Sequence, residues 1–409
     1  MISKQDLKNA SKLHKVPYAL SVFGKEEIAA VNEVLKTPMI APREKTFEFE
    51  GKISKLFEKK YGVMMSSCSS ANLLAFELLK LPPGSEVITP AVTFGTTLSP
   101  IFQKNLVPAF TDVEMGSWLI DINQIEKLIT SRTKAIMVPS LFGNVPDFGK
   151  LKEIADDHKL WLIEDSADTV GAKLRGVSTG KFTDISTVSF YASHVITTAG
   201  HGGMICFNNE KWYDRAKTLI GWGRSSAKNE TEDYKKRFDI EVDGIPYDSK
   251  FVFEELGYNF QSSDIDTAFG LAQLSKLDAN AKARVKNFER MTKLFAKYEE
   301  FFILPKQRGD VETMWLAFPV VLRDSAPFRR REFAIFLEEN GIQTRPLFTG
   351  NAMRQPAFKN LKSRRLNSYP VADLVMRGSV VLGVHHGLSE SQLSYVEEKV
   401  TEFMTRHSK

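Results

Sequence analysis

Hydrophobic and polar positions follow two different periods along the first two thirds of the chain. Apolar residues recur every three to four positions over Lys25–Leu35 and Thr46–Tyr61, which predicts two amphipathic helices. Later apolar runs are short and predict strands, with helical patterns or loops between them. The predicted strands are Glu86–Thr89, Leu106–Asp112, Lys134–Pro139, Trp161–Asp165 and Asp184–Phe190, and the predicted helices are Ser69–Leu79, Ile122–Ile129 and Asp147–His158.

This alternation predicts an α/β fold with a mostly parallel sheet, because single helices between strands make right-handed crossovers. Ligands of such sheets bind at the carboxyl ends of the strands. The pattern changes beyond about Leu277, and a chain of 409 residues exceeds the size of one hydrophobic core. We therefore predict a large domain over 1–277 and a smaller α+β domain over 278–409. The smaller domain would contain helices Asn280–Tyr298, Arg329–Glu339 and Ser389–Phe403 and the strand Ala317–Leu322.

Composition excludes several functional classes. The 55 basic and 50 acidic residues leave a net charge of only +5, so we expect no nucleic-acid partner. Two cysteines cannot form a disulfide framework or a four-thiolate cluster. The N-terminal residues contain no apolar signal core, and no apolar run approaches the roughly 18 residues of a spanning helix. We expect a cytoplasmic protein with no membrane partner.

A loop rich in serine precedes the helix predicted at Ser69. Its sequence, Met65-Ser-Ser-Cys-Ser-Ser-Ala-Asn72, places Cys68, Ser69 and Ser70 at a helix N-terminus. Free N–H groups, the helix dipole and hydroxyl groups would together bind a dianionic phosphate. On these residues alone, ordinary helix capping by serine explains the pattern as well.

Three further positions lie where the predicted strands end. A buried carboxylate at Asp165 needs a cationic or N–H partner, such as a protonated pyridine nitrogen, although it could also cap the next turn. Phe94 offers a flat face for a ring, or packs in the core. Ser189 precedes His194 by five residues, so a phosphate anchor and a base could adjoin each other. A structural role for His194 is the alternative.

The order of these elements resembles that of fold type I pyridoxal-phosphate enzymes, which have an aspartate aminotransferase-like αβα sandwich and a smaller C-terminal domain. In particular the chain is similar to the DegT/DnrJ sugar aminotransferases over nearly its whole length. The matching motifs are Ser66–Asn72, Phe94-Gly-Thr-Thr97, Glu164-Asp-Ser-Ala-Asp168, Ser189-Phe-Tyr-x-x-His194, Gly202-Gly203 and Leu256-Gly-Tyr-Asn259 with Asp264-x-x-x-Ala268.

One substitution separates this chain from the aminotransferases of that family. They carry the cofactor-binding lysine where this chain has His194, and no lysine occurs between Lys181 and Lys211. The same replacement is found in the NDP-4-keto-6-deoxyhexose 3-dehydratases, which include the GDP-4-keto-6-deoxymannose enzymes. The loop before Gly202 is also one residue longer than in the family, with His201 in place of a glutamate.

The resemblance implies a function and a cofactor. With pyridoxal or pyridoxamine phosphate bound and L-glutamate as amino donor, the enzyme would remove the C3 hydroxyl of an NDP-4-keto-6-deoxyhexose and give a 3,6-dideoxy-4-ketosugar. His194 would be the base, since imidazole moves protons but cannot anchor the cofactor covalently. The iron–sulfur subgroup has cysteines after a Trp-Gly-Arg, and residues 222–231 contain none, so no cluster is implied.

Roles for the other residues follow from the same matches. Cys68, Ser69, Ser70 and Ser189 would surround the phosphate, Phe94 would stack on the ring, and Asp165 would hold the pyridine nitrogen. Asp168 would lie near the phenolic oxygen of the ring. Asn259 matches an asparagine that reaches the neighbouring subunit, which implies a homodimer with shared active sites. The candidates for binding the nucleotide sugar are Arg224, Arg345, Asn351, His385 and His386.

Two other functions remain open at this stage. The chain could be an NDP-sugar 4-aminotransferase that works without the lysine, in which case the product would keep an amine. It could also be a catalytically silent binding protein that has kept the cofactor fold. Matches at Asp165, Ser189 and Asn259 favour an enzyme.

Overall fold

Fifteen strands and twelve α-helices make up the computed structural model, which describes residues 15–227 and 233–407. The strands are β1 (Tyr61–Met65), β2 (Glu86–Pro90), β3 (Val107–Thr111), β4 (Thr133–Pro139), β5 (Trp161–Ser166), β6 (Lys173–Leu174), β7 (Val177–Ser178), β8 (Ile185–Ser189), β9 (Gly203–Phe207), β10 (Glu241–Val242), β11 (Ile245–Pro246), β12 (Phe302–Ile303), β13 (Val311–Glu312), β14 (Ala317–Leu322) and β15 (Ser379–Gly383). The helices are Lys25–Val34, Glu44–Leu56, Cys68–Leu79, Gly95–Gln103, Phe148–Asp157, Glu210–Ile220, Tyr234–Phe238, Asp264–Leu274, Leu277–Phe295, Arg330–Glu339, Pro370–Gly378 and Glu390–His407.

The central sheet has seven strands in the order β1-β9-β8-β5-β4-β2-β3. Five of them, β3, β2, β4, β5 and β8, are parallel to one another, whereas β9 is antiparallel to both of its neighbours. This confirms the predicted α/β class with a mostly parallel sheet. Because β1 and β8 are both antiparallel to β9, their carboxyl ends lie at the same edge of the sheet.

Both faces of the sheet are buried, which explains why its strands are continuous apolar runs. In β4 the side chains of Ala135 and Met137 enter one hydrophobic cluster, while those of Ile136 and Val138 enter another on the opposite face. The helix Phe148–Asp157 contributes Leu151 to the second cluster. The result is the predicted αβα sandwich.

A second, smaller sheet pairs β14 with β12 and β15 in the C-terminal part of the chain. Its core contains Phe295, Phe318, Phe333 and Phe403, which pack edge-on or tilted against one another or against neighbouring aromatic rings. The division at residue 277 stays a prediction. Val16, from the other end of the chain, also packs into this second core.

Two predicted helices differ from the structure. Ile122–Ile129 forms two 3₁₀ turns, Ile122–Gln124 and Glu126–Leu128, because its main-chain N–H groups bond three residues back, as in Leu128 N–H to Ile125 O at 2.8 Å. The helix predicted to end at Tyr61 ends at Leu56, since Tyr61 already pairs with Phe207 in the sheet. The other predicted elements begin and end within four residues of their observed bounds.

Strand β9 approaches the serine loop so closely at Gly203 that residue 203 has no room for a side chain. A Cβ atom there would overlap the backbone of Ser67 and Cys68. We expect Gly203→Ala to destabilise the protein by roughly 1–3 kcal/mol, as overpacking does, measured by urea denaturation. The matched control is Gly51→Ala, whose Cβ would meet nothing within 4 Å in its helix and should add about 0.5–1 kcal/mol of stability. Equal stabilities of the two variants would contradict this packing.

Candidate active site

A cavity of about 660 Å³ opens at the carboxyl edge of the central sheet. The ends of β4, β5 and β8 supply Pro139, Asp165 and Ser189 to its wall. This is the position at which doubly wound sheets bind ligands. Of the predicted site residues, the structure brings together Cys68, Ser69, Phe94, Asp165, Asp168, Ser189, His194 and Arg345 around this cavity.

Asp165 is a buried carboxylate held from several elements. Its Oδ2 accepts hydrogen bonds from Asn72 Nδ2 at 3.0 Å and Thr97 Oγ1 at 2.8 Å, and its Oδ1 accepts one from Ala167 N–H at 3.1 Å. Asn72 in turn accepts a bond from Thr187 Oγ1 at 2.6 Å. Burial raises the pKa of Asp165 above the ordinary range for an aspartate, despite these donors. A cationic N–H group in the cavity would favour its charged form.

The serine loop joins β1 to the helix Cys68–Leu79. Ser67 caps that helix by accepting a hydrogen bond from Ser70 N–H at 3.1 Å, while Ser69 Oγ donates to Thr96 Oγ1 at 2.9 Å. Ser67, Cys68 and Ser69 line the cavity at the positive end of the helix dipole. Ser70 faces Ser67, with their hydroxyl groups 2.9 Å apart, and is not part of the lining.

Cys68 lies between this loop and the carboxylate. Its Sγ is 3.9 Å from Asp165 Oδ1, and burial raises the pKa of the thiol well above its ordinary value. The thiol is therefore protonated, unlike that of a nucleophilic cysteine, and the predicted contact of Cys68 with the cofactor stays a prediction.

His194 and Asp168 face each other in the wall of the cavity. His194 Nδ1 is buried without a hydrogen-bond partner, 3.7 Å from Asp168 Oδ1, while Asp168 Oδ2 accepts a bond from Phe142 N–H at 2.8 Å. Burial, together with the charge of Arg284, lowers the pKa of His194 to about 4. Burial, together with the charge of Asp165, raises the pKa of Asp168 to about 7. The imidazole is therefore neutral near pH 7 and can accept a proton.

Arg284 fixes the backbone beneath this histidine. Its side chain is fully buried and donates to the carbonyl oxygens of His194 at 3.4 Å, Trp315 at 3.3 Å and Leu316 at 3.1 Å. Burial lowers the pKa of Arg284 to about 10, so it stays charged. The helix Leu277–Phe295 thus holds the active-site loop through a cation.

His201 faces a different carboxylate from the one beside His194. Thr198 Oγ1 donates to the carbonyl of His201, and the exposed His201 ring places Nε2 3.8 Å from Asp266 Oδ1. His201 still lines the rim of the cavity, near Ser67 and Gly202. His194 is the histidine beside Asp168, so this geometry favours His194 as the base.

Aromatic rings form part of the cavity wall. Phe348 lies parallel to Phe142 with ring centroids 4.4 Å apart, and Phe94 meets the edge of Phe348 at 5.5 Å. The Phe94 side chain is 53% exposed, although it lies directly after a buried strand. A half-exposed ring at a cavity wall can cover a planar ligand.

Five other predicted residues lie outside this cavity lining. Asn351 is buried and donates to Asp373 Oδ1 at 2.7 Å, and His385 Nε2 bonds the carbonyl oxygen of Pro17 at 3.1 Å. The Arg224 guanidinium stacks on Trp222 at 4.5 Å. His386 is half-buried and Asn259 is exposed on the surface. Their predicted ligand contacts stay predictions.

Sequence reasoning missed several residues that build the site. Asn72 and Thr97 stand inside motifs that the sequence analysis quotes, yet their bonds to Asp165 span 93 and 68 positions. Tyr18 lines the cavity and Arg284 supports it. Neither stands in a recognisable motif. The sequence signal for Arg284 is its position on the apolar face of the helix Leu277–Phe295, where an arginine is unusual.

The described part of the chain contains no cluster of three or more metal-ligating side chains. Within residues 15–227 and 233–407, no helix combines the length and the apolar content needed to cross a membrane. Both cysteines are buried and free. Residues 1–14, on which the expectation of no signal core rests, lie outside the described residues, as do residues 228–231 of the stretch that follows Trp222.

Because buried histidines are neutral in the folded protein, we expect the free energy of unfolding to fall as the pH is lowered. Burial lowers the pKa of His385 to about 4, whereas an unfolded histidine has a value near ~6.5. Its contribution to stability is therefore complete above pH ~6.5 and falls by up to about 1.4 kcal/mol per pH unit as the pH drops towards 4. We expect urea denaturation of His385→Gln to show a shallower loss of stability over this range.

The control for this measurement is His158→Gln, since His158 is exposed at a helix end. Asp168, with its raised pKa, adds a slope of the opposite sign, but does so equally in all three proteins. The difference between variants therefore isolates His385. Parallel stability curves for wild type and His385→Gln would contradict the burial of a neutral imidazole.

Comparison with known proteins agrees with this geometry. The model of the DegT/DnrJ/EryC1/StrS aminotransferase family matches residues 22–401. A dTDP-4-dehydro-2,6-dideoxy-D-glucose 3-dehydratase of Saccharopolyspora spinosa is 34% identical over 400 residues, covering 95% of this chain and 86% of that protein. A GDP-perosamine synthase of Escherichia coli O157:H7 is 29% identical over 395 residues, covering 94% and 97% respectively.

A solved structure of similar shape is an E. coli GDP-4-keto-6-deoxy-D-mannose-3-dehydratase with bound hydrated PLP. It has a TM-score of 0.85 and 27% identity, over 94% of this chain and 99% of that one. The predicted resemblance and the predicted aspartate aminotransferase-like fold are confirmed. The chain belongs to the DegT/DnrJ/EryC1/StrS aminotransferase family.

Proposed function

We propose that the protein removes the C3 hydroxyl of an NDP-4-keto-6-deoxyhexose and gives a 3,6-dideoxy-4-ketosugar. L-Glutamate is the amino donor. In the net reaction the sugar loses the oxygen at C3, L-glutamate is oxidised to 2-oxoglutarate, and its nitrogen leaves as ammonia. No external reductant is needed, because glutamate supplies the two electrons that the sugar accepts.

The observation that carries this proposal is the imidazole of His194 in the cavity wall. No lysine occurs among the described residues that line the cavity. A lysine would be both a covalent anchor and a base, and would return the nitrogen to the sugar. An imidazole moves protons without forming that anchor, which favours elimination of the hydroxyl over transfer of an amine.

The cavity fits pyridoxal phosphate or pyridoxamine phosphate. Ser67, Ser69 and Ser189 offer hydroxyl groups near a helix N-terminus for the phosphate, and Phe94 offers a face for the ring. Asp165 is a buried carboxylate without a cationic partner among the described residues, as a protonated pyridine nitrogen requires. When bound, the cofactor would supply an amine that condenses with the sugar ketone and a ring that accepts electrons.

His194 would move the proton through Nε2. Nδ1 is the buried nitrogen and points towards Asp168 Oδ1, so an Nδ1–H tautomer leaves the lone pair of Nε2 free for the cavity. Asp168 would orient the ring and stabilise the imidazolium that forms. The same Nε2–H would then protonate the departing C3 oxygen.

The chain's cysteines support a route without an iron–sulfur cluster. Such clusters are held by four thiolates or by two cysteines with two histidines, usually close together. Here Cys68 and Cys206 are both buried at separate places in the large domain, and residues 222–231 contain no cysteine.

We infer a homodimer whose active sites are shared. Asn259 is exposed and lies outside the cavity of its own chain. Nearby Phe253 and Leu256 are 61% and 97% exposed, which is unusual for large apolar side chains. A second copy seated here would cover them and would receive Asn259 at its phosphate site.

An NDP-sugar 4-aminotransferase is the second function to test, since a GDP-perosamine synthase is among the relatives. Purified protein with cofactor, L-glutamate and GDP-, CDP- or dTDP-4-keto-6-deoxyhexoses should release ammonia and a product without the C3 oxygen. Mass spectrometry of the sugar and an ammonia assay measure both. A sugar that keeps all its oxygens except the ketone and carries an amine would identify the aminotransferase instead.

Substitution of His194 tests the base. We expect His194→Asn to lower turnover by at least about 100-fold, the usual contribution of general acid–base catalysis, while cofactor affinity changes little. The control is His158→Asn on the surface. Dehydration by His194→Asn at the wild-type rate would exclude the assigned base.

A lysine at the same position should restore the anchor. We expect His194→Lys to bind the cofactor covalently after borohydride treatment, as a mass increase of the intact protein. His158→Lys, with an equally new amine on the surface, should show none. Absence of the adduct from His194→Lys would mean that residue 194 does not face the cofactor.

A further inference from the structure

Residues 16–23, here called the N-terminal strap, pass beside the cavity, and Tyr18 is part of the cavity lining. The strap begins beside the turn that follows the helix Arg330–Glu339, where Val16 N–H donates to Gly341 O at 3.0 Å and Val16 O accepts from Gln343 N–H at 2.9 Å. Tyr18 N–H then donates to Gln343 Oε1 at 2.9 Å. The first residues of the strap are therefore fixed to the C-terminal part of the chain.

The other end of the strap is fixed to the active-site loop. Ser21 Oγ donates to the carbonyl oxygen of Ala192 at 2.7 Å, two residues before His194. Gln273 Nε2 donates to Val22 O at 3.0 Å. The strap thus joins the small sheet to the loop that carries the proposed base.

The middle of the strap is seated tightly on the end of β15. His385 Nε2 bonds Pro17 O at 3.1 Å, and a Cβ atom at Gly383 would lie 2.5 Å from Tyr18 O and 2.9 Å from Pro17 O. Gly383 is needed for this close approach. His385, buried at 1% exposure, supports the strap from below.

This seating presents the Tyr18 side chain to the cavity. The ring lies under the guanidinium of Arg345, 5.4 Å from its centroid, and both residues line the cavity. Arg345 donates to Thr344 O at 2.7 Å and forms no ion pair within the described residues. Burial, with the charge of Asp168, raises the pKa of Tyr18, so the phenol stays protonated. A neutral O–H donor and an uncompensated cation therefore stand side by side.

We propose that Tyr18 is a substrate-binding residue, whose hydroxyl donates, beside the Arg345 guanidinium, to an oxyanion of the substrate. The oxyanion is a phosphate of the nucleotide sugar or a carboxylate of glutamate; the naming of these two ligands rests on the proposed function. His385 and Gly383 position Tyr18 through the strap.

Equilibrium binding to the protein loaded with pyridoxal phosphate tests this. Calorimetry with GDP, CDP and dTDP measures the phosphate arm, and titration of cofactor absorbance with L-glutamate measures the carboxylate arm. We expect Tyr18→Phe to weaken one of these by about 10- to 100-fold, as loss of a hydrogen bond to a charged group does. The matched control is Tyr298→Phe, in the smaller core.

Each outcome decides the matter. Weaker nucleotide binding assigns Tyr18 to the diphosphate, and weaker glutamate binding assigns it to the carboxylate. Affinities equal to those of wild type and Tyr298→Phe in both arms would overturn the proposal. Because neither arm contains a keto sugar, an aminated sugar product from wild type would overturn the dehydratase function alone and leave this result intact.

The positioning role of the strap has its own test. Gly383→Ala, which displaces Tyr18 O, should weaken the same ligand as Tyr18→Phe, while Gly51→Ala should not. If Gly383→Ala does not fold, Ser21→Ala removes the other attachment and should give a smaller loss in the same arm. Unchanged affinity in a folded Gly383→Ala and in Ser21→Ala would show that the strap does not position Tyr18.

Discussion

The buried carboxylate of Asp165 is the constraint on which the cavity depends. A charge at this depth is stable only when donors surround it, and its donors come from two different helices and from the turn after β5. Asn72 passes the network on to Thr187 in β8. The Asp165 side chain therefore fixes both helix N-termini against the edge of the sheet. It has no cationic partner among the described residues, so a cation in the cavity could pair with it.

The chemistry of His194 follows from what its surroundings lack. Nδ1 has no hydrogen-bond partner among the described residues, Asp168 Oδ1 stands 3.7 Å away, and the charge of the buried Arg284 opposes protonation of the ring. Burial and the Arg284 cation keep the imidazole neutral, whereas an ionised Asp168 would stabilise the imidazolium once a proton is accepted. A lysine at the same place would be disfavoured in its charged form by the same cation, which is the condition under which an amine attacks a carbonyl. The surroundings of position 194 therefore suit either a neutral imidazole or a neutral lysine amine.

The sheet and the order of the motifs could be predicted from sequence because both depend on local signals. Apolar runs such as Ala135–Pro139 are buried on both faces, the serine loop follows β1 directly, and Asp165 and Ser189 lie at the ends of their strands. Contacts between distant segments could not be predicted. Ser21 and Ala192 are 171 positions apart, and His385 and Pro17 are 368 apart. For this reason Tyr18 was missed, and His385 was assigned to substrate contact although its observed bond is to the strap.

Two separate links tie the proposed base, His194, to the C-terminal part of the chain. Arg284 holds the carbonyl of His194 from the helix Leu277–Phe295, and Ser21 holds that of Ala192 from the strap, which is itself fixed to Gln343 and seated on β15. Any shift of the smaller sheet relative to the larger one must therefore move the loop or break these bonds. Tyr18 and Arg345 lie on the side of these links that belongs to the strap and the smaller sheet, so the proposed substrate-binding groups and the proposed base are positioned together.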